Sequence, residues 1–196
     1  MRKRIIDWFF TLQCQRGILG EKEGRLYTYA YGLLLNKIAI YAIIVIVGMM
    51  TGNWIEMISF LLPFTISRQY AGGIHLGNTV SCIIFSSFLV FGCGQYLAAT
   101  SDMKKPFCIL WFIAILLICI LAPVDTQSKK LDKIAKRIYG KRARVILALE
   151  FIIAIFFWSN GIFLIAKGIA TANLILAVGL IVGSIKNFLY RLERTN

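Results

Sequence analysis

The chain has 196 residues, of which 59% are apolar and only 16% charged, and its mean hydropathy is +0.75. Soluble domains carry about 25% charged residues, so this composition excludes an ordinary water-soluble globule. It leaves room for roughly six spans of about 20 residues with short loops, and none for a separate soluble domain beside them. The expectation is a single all-α integral membrane domain over residues 1–196, a polytopic helix bundle of six transmembrane helices, with four spans plus re-entrant segments as the variant.

The N-terminal stretch begins with basic residues, yet Asp7, Gln13, Gln15 and Arg16 interrupt what a signal peptide would keep as a clean apolar core. It is expected to be retained. Ile5, Trp8, Phe9, Leu12 and Leu19 recur at near-helical spacing, which suits either a helix lying in the cytoplasmic interface or a first helix packed on the bundle. The first long apolar run, 27–50, contains Asn36 and Lys37 and ends at Thr51-Gly52-Asn53. The second, 54–66, is short and holds Glu56 and Pro63. As a helix it rises only about 20 Å against the roughly 30 Å of a hydrocarbon layer, so it must extend into its flanks or sit in a thinned or protein-lined region.

A polar stretch, RQYAGGIHLGNTVSC at 68–82, follows directly, and the third run covers 79–99. After a small loop at 101–106 comes a fourth run, 107–122, and then a long polar connection, 123–144, rich in Lys and Arg. Two further runs, 145–166 and 169–189, precede a polar tail. Basic residues concentrate in cytoplasmic loops. With six spans and both termini inside, only Lys104, Lys105 and Lys167 fall on the outer side, and the 68–82 loop shares the cytoplasmic face with the basic connection. The net charge of +13 is accounted for by that asymmetry and by attraction to anionic lipid headgroups. Nucleic acid is not an expected partner, because the basic connection has few aromatics and no recognition module.

His75 is the only histidine, and an unperturbed imidazole is the side chain suited to moving protons near neutral pH. A zinc protease is unsupported, since one histidine cannot form HExxH and the acidic residues are scattered. No metal or other cofactor is expected. Of the five cysteines, Cys14, Cys93, Cys108 and Cys119 read as small apolar residues, whereas Cys82 sits at the start of the third run beside the polar loop. Asn78 or Thr79 is a good N-cap there, placing Cys82 in the first turn, where the helix dipole favours a thiolate and free amides can hold an oxyanion. Ser81 remains an alternative nucleophile on spacing alone. His75 and Cys82 are seven residues apart, about 10 Å along a straight helix, so the chain between them must bend to join base and nucleophile. Gly72, Gly73 and Gly77 supply backbone freedom for that bend.

The 68–82 stretch, followed downstream by APVD at 122–125 and a lysine-rich connection, resembles the accessory gene regulator protein B (AgrB) family of Gram-positive bacteria over the whole chain. Arg68, Ala71, Gly72, Gly73, His75 and Cys82 stand at the spacing of the family's motif. The resemblance implies a polytopic cysteine endopeptidase of the bacterial cell membrane that cuts an AgrD-like peptide precursor and promotes its cyclisation to an autoinducing peptide of quorum sensing. It implies Cys82 as nucleophile and His75 as general base, and suggests a homodimer. Arg68 is a candidate clamp for a substrate carboxylate or a brace for the loop, and Asp125 a candidate third group orienting His75. Gln69, Asn78 and Ser81 are candidate orienting or oxyanion groups. Lys129, Lys130 and Lys133 are candidates for docking the acidic tail of such a precursor.

The competing reading is a small membrane transporter or exporter subunit without proteolysis. It rests on Asn36, Lys37, Glu56 and Glu150 lying at membrane depth, where polar residues mark pathways or pair as structural glue.

Overall fold

A computed structural model describes residues 2–16, 24–52, 54–73, 79–100, 105–125 and 132–193. They form seven helices: α1 (Arg2–Gln15), α2 (Gly24–Thr51), α3 (Trp54–Ala71), α4 (Thr79–Ala99), α5 (Lys105–Leu121), α6 (Lys133–Ser159) and α7 (Phe163–Glu193). Among the described residues there is no strand, only an isolated bridge between Gly72 and Val124. The class is therefore all-α. Helices are the expected solution for apolar runs in lipid, because each satisfies its own backbone polar groups internally.

Helix α7 is the hub. It packs on α3, α5 and α6, and more lightly on α4. Its buried side is built largely from small residues, Ala166, Ala170, Ala172 and Ala177, with Leu176 and Leu180 as larger plugs. Small residues let helix backbones approach closely, and dispersion contacts then replace the hydrophobic drive that lipid does not supply. At Gly168 the approach is so close that a Cβ would overlap Ser59 of α3. Around this seam Met57, Phe60 and Phe64 of α3 pack with Val90 and Leu97 of α4, Ala114 and Ile118 of α5, and Ala143 and Leu147 of α6. A second cluster joins Trp111 to Ala154, Ala166, Ile169 and Ala170.

Outward, the bundle is apolar. Phe88 is 78% exposed, Ile120 76% and Ile152 62%, within a belt of exposed large aliphatic and aromatic side chains far beyond the patches that water-soluble monomers tolerate. Lipid is the solvent that suits such a surface. Phe163–Tyr190 is the one stretch among the described residues that is both long and apolar enough to cross a bilayer. Ile84–Ala99 and Lys105–Leu121 are shorter apolar helices.

Of the alternatives for the short second run, extension is the one found, with α3 carrying 18 residues, about 27 Å of rise. It does so by taking Ser67 to Ala71 into the helix, so the polar loop begins only at Gly72. Helix α4 has the bounds expected of the third run. Helix α1 packs on α2 with Ile6 buried and Trp8 exposed, and Tyr31 donates a hydrogen bond to Gln13.

Two sequence expectations are corrected. The connection expected as a long polar loop over 123–144 is helical from Lys133 on, where α6 begins. Lys and Arg are good helix formers, and Gly140, Ala143 and Leu147 recur at helical spacing as the buried face beneath the basic residues. The last two spans also divide earlier than expected, at 160–162 and not at Lys167-Gly168. Gly161, with φ +76°, ends α6 in the left-handed conformation typical of helix termini, and its amide donates to the Trp158 carbonyl at 3.0 Å. Lys167, expected in an outer loop, is consequently buried in α7. Its ammonium donates to the Thr100 carbonyl at 2.7 Å and to Thr100 Oγ1, and lies 4.9 Å from the centre of the Tyr96 ring.

Glu150, on the buried face of α6, accepts a hydrogen bond from Ser67 Oγ at 2.6 Å. That pair links α3 to α6. Glu56 lies in the first turn of α3, a favourable place for an acid against the helix dipole.

Candidate active site

The polar loop is anchored at its start by a local and a tertiary hydrogen bond. Helix α3 ends with the Gly72 amide donating to the Arg68 carbonyl at 3.1 Å. Gly72 and Gly73 then take φ +82° and +124°, values that L side chains rarely adopt. Beside them runs the segment that follows α5. The Val124 amide donates to the Ala71 carbonyl at 2.9 Å, and Gly72 and Val124 form a parallel bridge. A Cβ on Gly72 would collide with the Val124 carbonyl oxygen. Gly72 is therefore required by both conformation and space, and Gly73 by conformation.

Asp125 continues this junction. Its Oδ2 pairs with Lys136 Nζ at 2.6 Å, and its carbonyl oxygen accepts from Asn187 Nδ2 of α7 at 2.5 Å. Its Oδ1 is buried and receives no hydrogen bond among the described residues. The result is that residues from α3, the α5–α6 connection, α6 and α7 meet at one end of the bundle, where the chain leaves Gly73 toward 74–78.

Helix α4 opens at Thr79, so Cys82 lies in its first turn and Ser81 beside it. His75, Gly77 and Asn78 lie outside the described residues, as do Lys129 and Lys130. Lys133 is the first residue of α6 and is exposed. Arg68 stacks over Phe64, with its Cζ 5.5 Å from the ring centre, one helical turn before Gly72.

The structure thus brings Arg68, Gly72, Gly73 and Asp125 to one junction, and it adds Val124, Lys136, Gly183 and Asn187, which sequence reasoning did not single out for this end. Only the small residues spaced four apart at Gly179 and Gly183 could have hinted at α7, and spacing alone names no partner for them.

These features define an all-helical bundle with a lipid-adapted surface and a glycine-hinged polar loop opening into a cysteine-bearing helix. The chain belongs to the AgrB family: residues 7–185 match the family model for accessory gene regulator B. It is 27% identical over 131 residues to an AgrB-like protein of Clostridium perfringens strain SM101, covering 62% of this chain and 61% of that one. It is 25% identical over 143 residues to AgrB-like protein 2 of Clostridium perfringens strain 13, covering 67% and 66%. The chain thus spans about three fifths to two thirds of the length of these curated relatives. No solved structure matches it.

Proposed function

We propose that this protein is a multi-pass membrane cysteine endopeptidase that cleaves an AgrD-like precursor and promotes its cyclisation to an autoinducing peptide. The observation that carries this reading is the placement of Cys82 in the first turn of α4, across a short loop from an α3 terminus held by the Val124–Ala71 hydrogen bond. A nucleophile needs a base within hydrogen-bond reach, and His75 lies on the seven residues, 72–78, that join α3 to α4.

His75 accepts the Cys82 proton, and the thiolate adds to the scissile carbonyl. The oxyanion that forms is stabilised by the free amides at the start of α4. His75 then protonates the leaving amine, the C–N bond breaks, and the retained part of the precursor remains as a thioester on Cys82. An internal thiol of the substrate attacks this thioester and expels the Cys82 thiolate, closing a thiolactone. Exchange of one thioester for another conserves bond energy that hydrolysis would release, so excluding water from the site favours the cyclic product.

Six spans with both termini cytoplasmic place the loop on the cytoplasmic face, supported by the concentration of Lys and Arg there. Lys129, Lys130 and Lys133 dock an acidic segment of the precursor, anionic lipids contact the same basic region, and the protein acts as a homodimer. Asp125 orients His75, a role supported by its buried Oδ1 at the junction.

Mass spectrometry of precursor incubated with the full-length protein in proteoliposomes tests this. Wild type is expected to give a cut peptide, a cyclic product and a trappable acyl adduct on Cys82, all lost in Cys82→Ala. Cleavage that survives both Cys82→Ala and His75→Ala overturns the peptidase, and peptide export without cleavage establishes a transporter instead.

A further inference from the structure

Helix α7 carries none of the residues assigned to the chemistry, yet it touches both chain segments that meet at the loop. Gly179, Gly183 and Asn187 are spaced four apart and share one face of the helix. Gly183 is buried, and a Cβ there would stand 3.3 Å from the Gly73 carbonyl carbon, 3.4 Å from Val124 Cγ1 and 3.5 Å from Gly73 Cα. One turn further on, Asn187 holds the Asp125 carbonyl oxygen at 2.5 Å. One turn back, Gly179 presents its carbonyl oxygen 3.7 Å from where a Gly73 Cβ would lie, but a Cβ on Gly179 itself would meet nothing within 4 Å.

This asymmetry separates contact from mere glycine content. Each glycine inside a helix costs about 1 kcal/mol relative to alanine, and at Gly183 the cost coincides with a backbone seated against the helix. The backbone so seated is Gly73, two residues before His75. The helix providing the seat is fixed by Leu176 and Leu180, which are almost fully buried. A rigid element with a notch and a hydrogen-bond donor one turn apart is suited to setting where a glycine hinge sits.

We propose that Gly183 and Asn187 are positioning residues for the Cys82–His75 reaction: the Gly183 notch sets how deeply Gly73 seats, and Asn187 fixes the Asp125 connection paired with it. Together they register the start of the loop on α7, and so set the distance from base to nucleophile. This inference rests on the peptidase reading.

The test uses the full-length protein in proteoliposomes with a synthetic precursor and compares Gly183→Ala, Asn187→Ala and Gly179→Ala with wild type. Two readouts are taken: kcat and KM for cleavage, and the rate of iodoacetamide alkylation of the Cys82-bearing peptide as a function of pH, followed by mass spectrometry. Gly183→Ala and Asn187→Ala are expected to lower kcat about tenfold or more, within the roughly 100-fold that a 1 Å misplacement can cost. KM should stay within about twofold, and the pH profile of Cys82 alkylation should move. Gly179→Ala, which adds the same methyl to the same helix in open space, should match wild type in both.

The inference fails if Gly183→Ala behaves as Gly179→Ala, or if kcat falls only in proportion to folded protein while the alkylation profile stays fixed. Should Gly183→Ala not fold, Asn187→Ala decides between the same outcomes, since it removes only a side chain at the helix end. Cleavage retained in Cys82→Ala would instead show that the peptidase reading, and not the α7 seat, is at fault.

Discussion

The amide of Val124 donates to the carbonyl of Ala71 at 2.9 Å, and this hydrogen bond ties the end of α3 to the segment leaving α5. The two residues are far apart in the chain, yet their contact fixes where the polar loop begins. Gly72 and Gly73, with positive φ, turn the backbone away immediately beyond it.

Gly72 is the position least able to accept a side chain. A left-handed conformation costs an ordinary L-residue roughly 1–2 kcal/mol, and here the added Cβ also strikes the Val124 carbonyl. Gly72→Ala is expected to reduce precursor cleavage by tenfold or more while Cys82 remains present and reducible. Full activity in this variant, measured at equal membrane abundance, would show that the bridge to Val124 is dispensable.

Asp125 offers a cleaner separation of roles. Its ion pair with Lys136 is partly exposed and belongs to the class worth about 0–1 kcal/mol, so neither Asp125→Asn nor Lys136→Met should change stability greatly. If Asp125 orients His75, Asp125→Asn lowers kcat strongly and Lys136→Met does not. Equal, small effects of both in a cleavage assay assign Asp125 to the junction alone.

Lys167 tests the corrected boundary of α7. Its ammonium is buried and donates to two Thr100 oxygens, and hydrogen bonds involving a charged group contribute up to about 1.5–3 kcal/mol. Lys167→Met should therefore lower the thermal midpoint measured in detergent while sparing the kcat of the surviving enzyme. A loop lysine at the surface would give a change within about 0.5 kcal/mol, and that result would return Lys167 to the loop.

Ser67 and Glu150 link α3 to α6 one turn before the junction. Interhelical hydrogen bonds in membrane proteins average about 0.6 kcal/mol and reach about 1.7. A double-mutant cycle of Ser67→Ala and Glu150→Ala, read by reversible unfolding, should give a coupling in that range. Strictly additive effects would mean the hydroxyl and carboxylate do not interact. A measurable coupling with intact cleavage also favours interhelical glue over a transport pathway for Glu150.

Lys129, Lys130 and Lys133 bear on substrate capture. Neutralising all three is expected to raise the precursor concentration needed for half-maximal cleavage several-fold and to flatten its dependence on salt, as expected when charge complementarity governs encounter. An unchanged half-maximal concentration with unchanged salt response would remove the acidic-tail docking.

By itself the sequence determined what local chemistry can encode. A run of apolar residues long enough for lipid must be helical, so the all-α class followed from composition. The third apolar run, beginning at Thr79, placed Cys82 in the first turn of α4, and a 13-residue run was too short for a bilayer unless it extended into its flanks or sat in a thinned or protein-lined region. The motif around His75 and Cys82 was likewise visible, because its residues are neighbours in the chain. Tertiary structure decided the rest. The basic residues after Lys133 joined a helix because Ala143 and Leu147 found a core to face, the last turn moved to Gly161, and Lys167 was drawn inward by Thr100. Only folding could seat Gly73 against Gly183 and hold Asp125 with Asn187, since those contacts join residues with no shared local signal and depend on how closely a glycine lets two backbones approach.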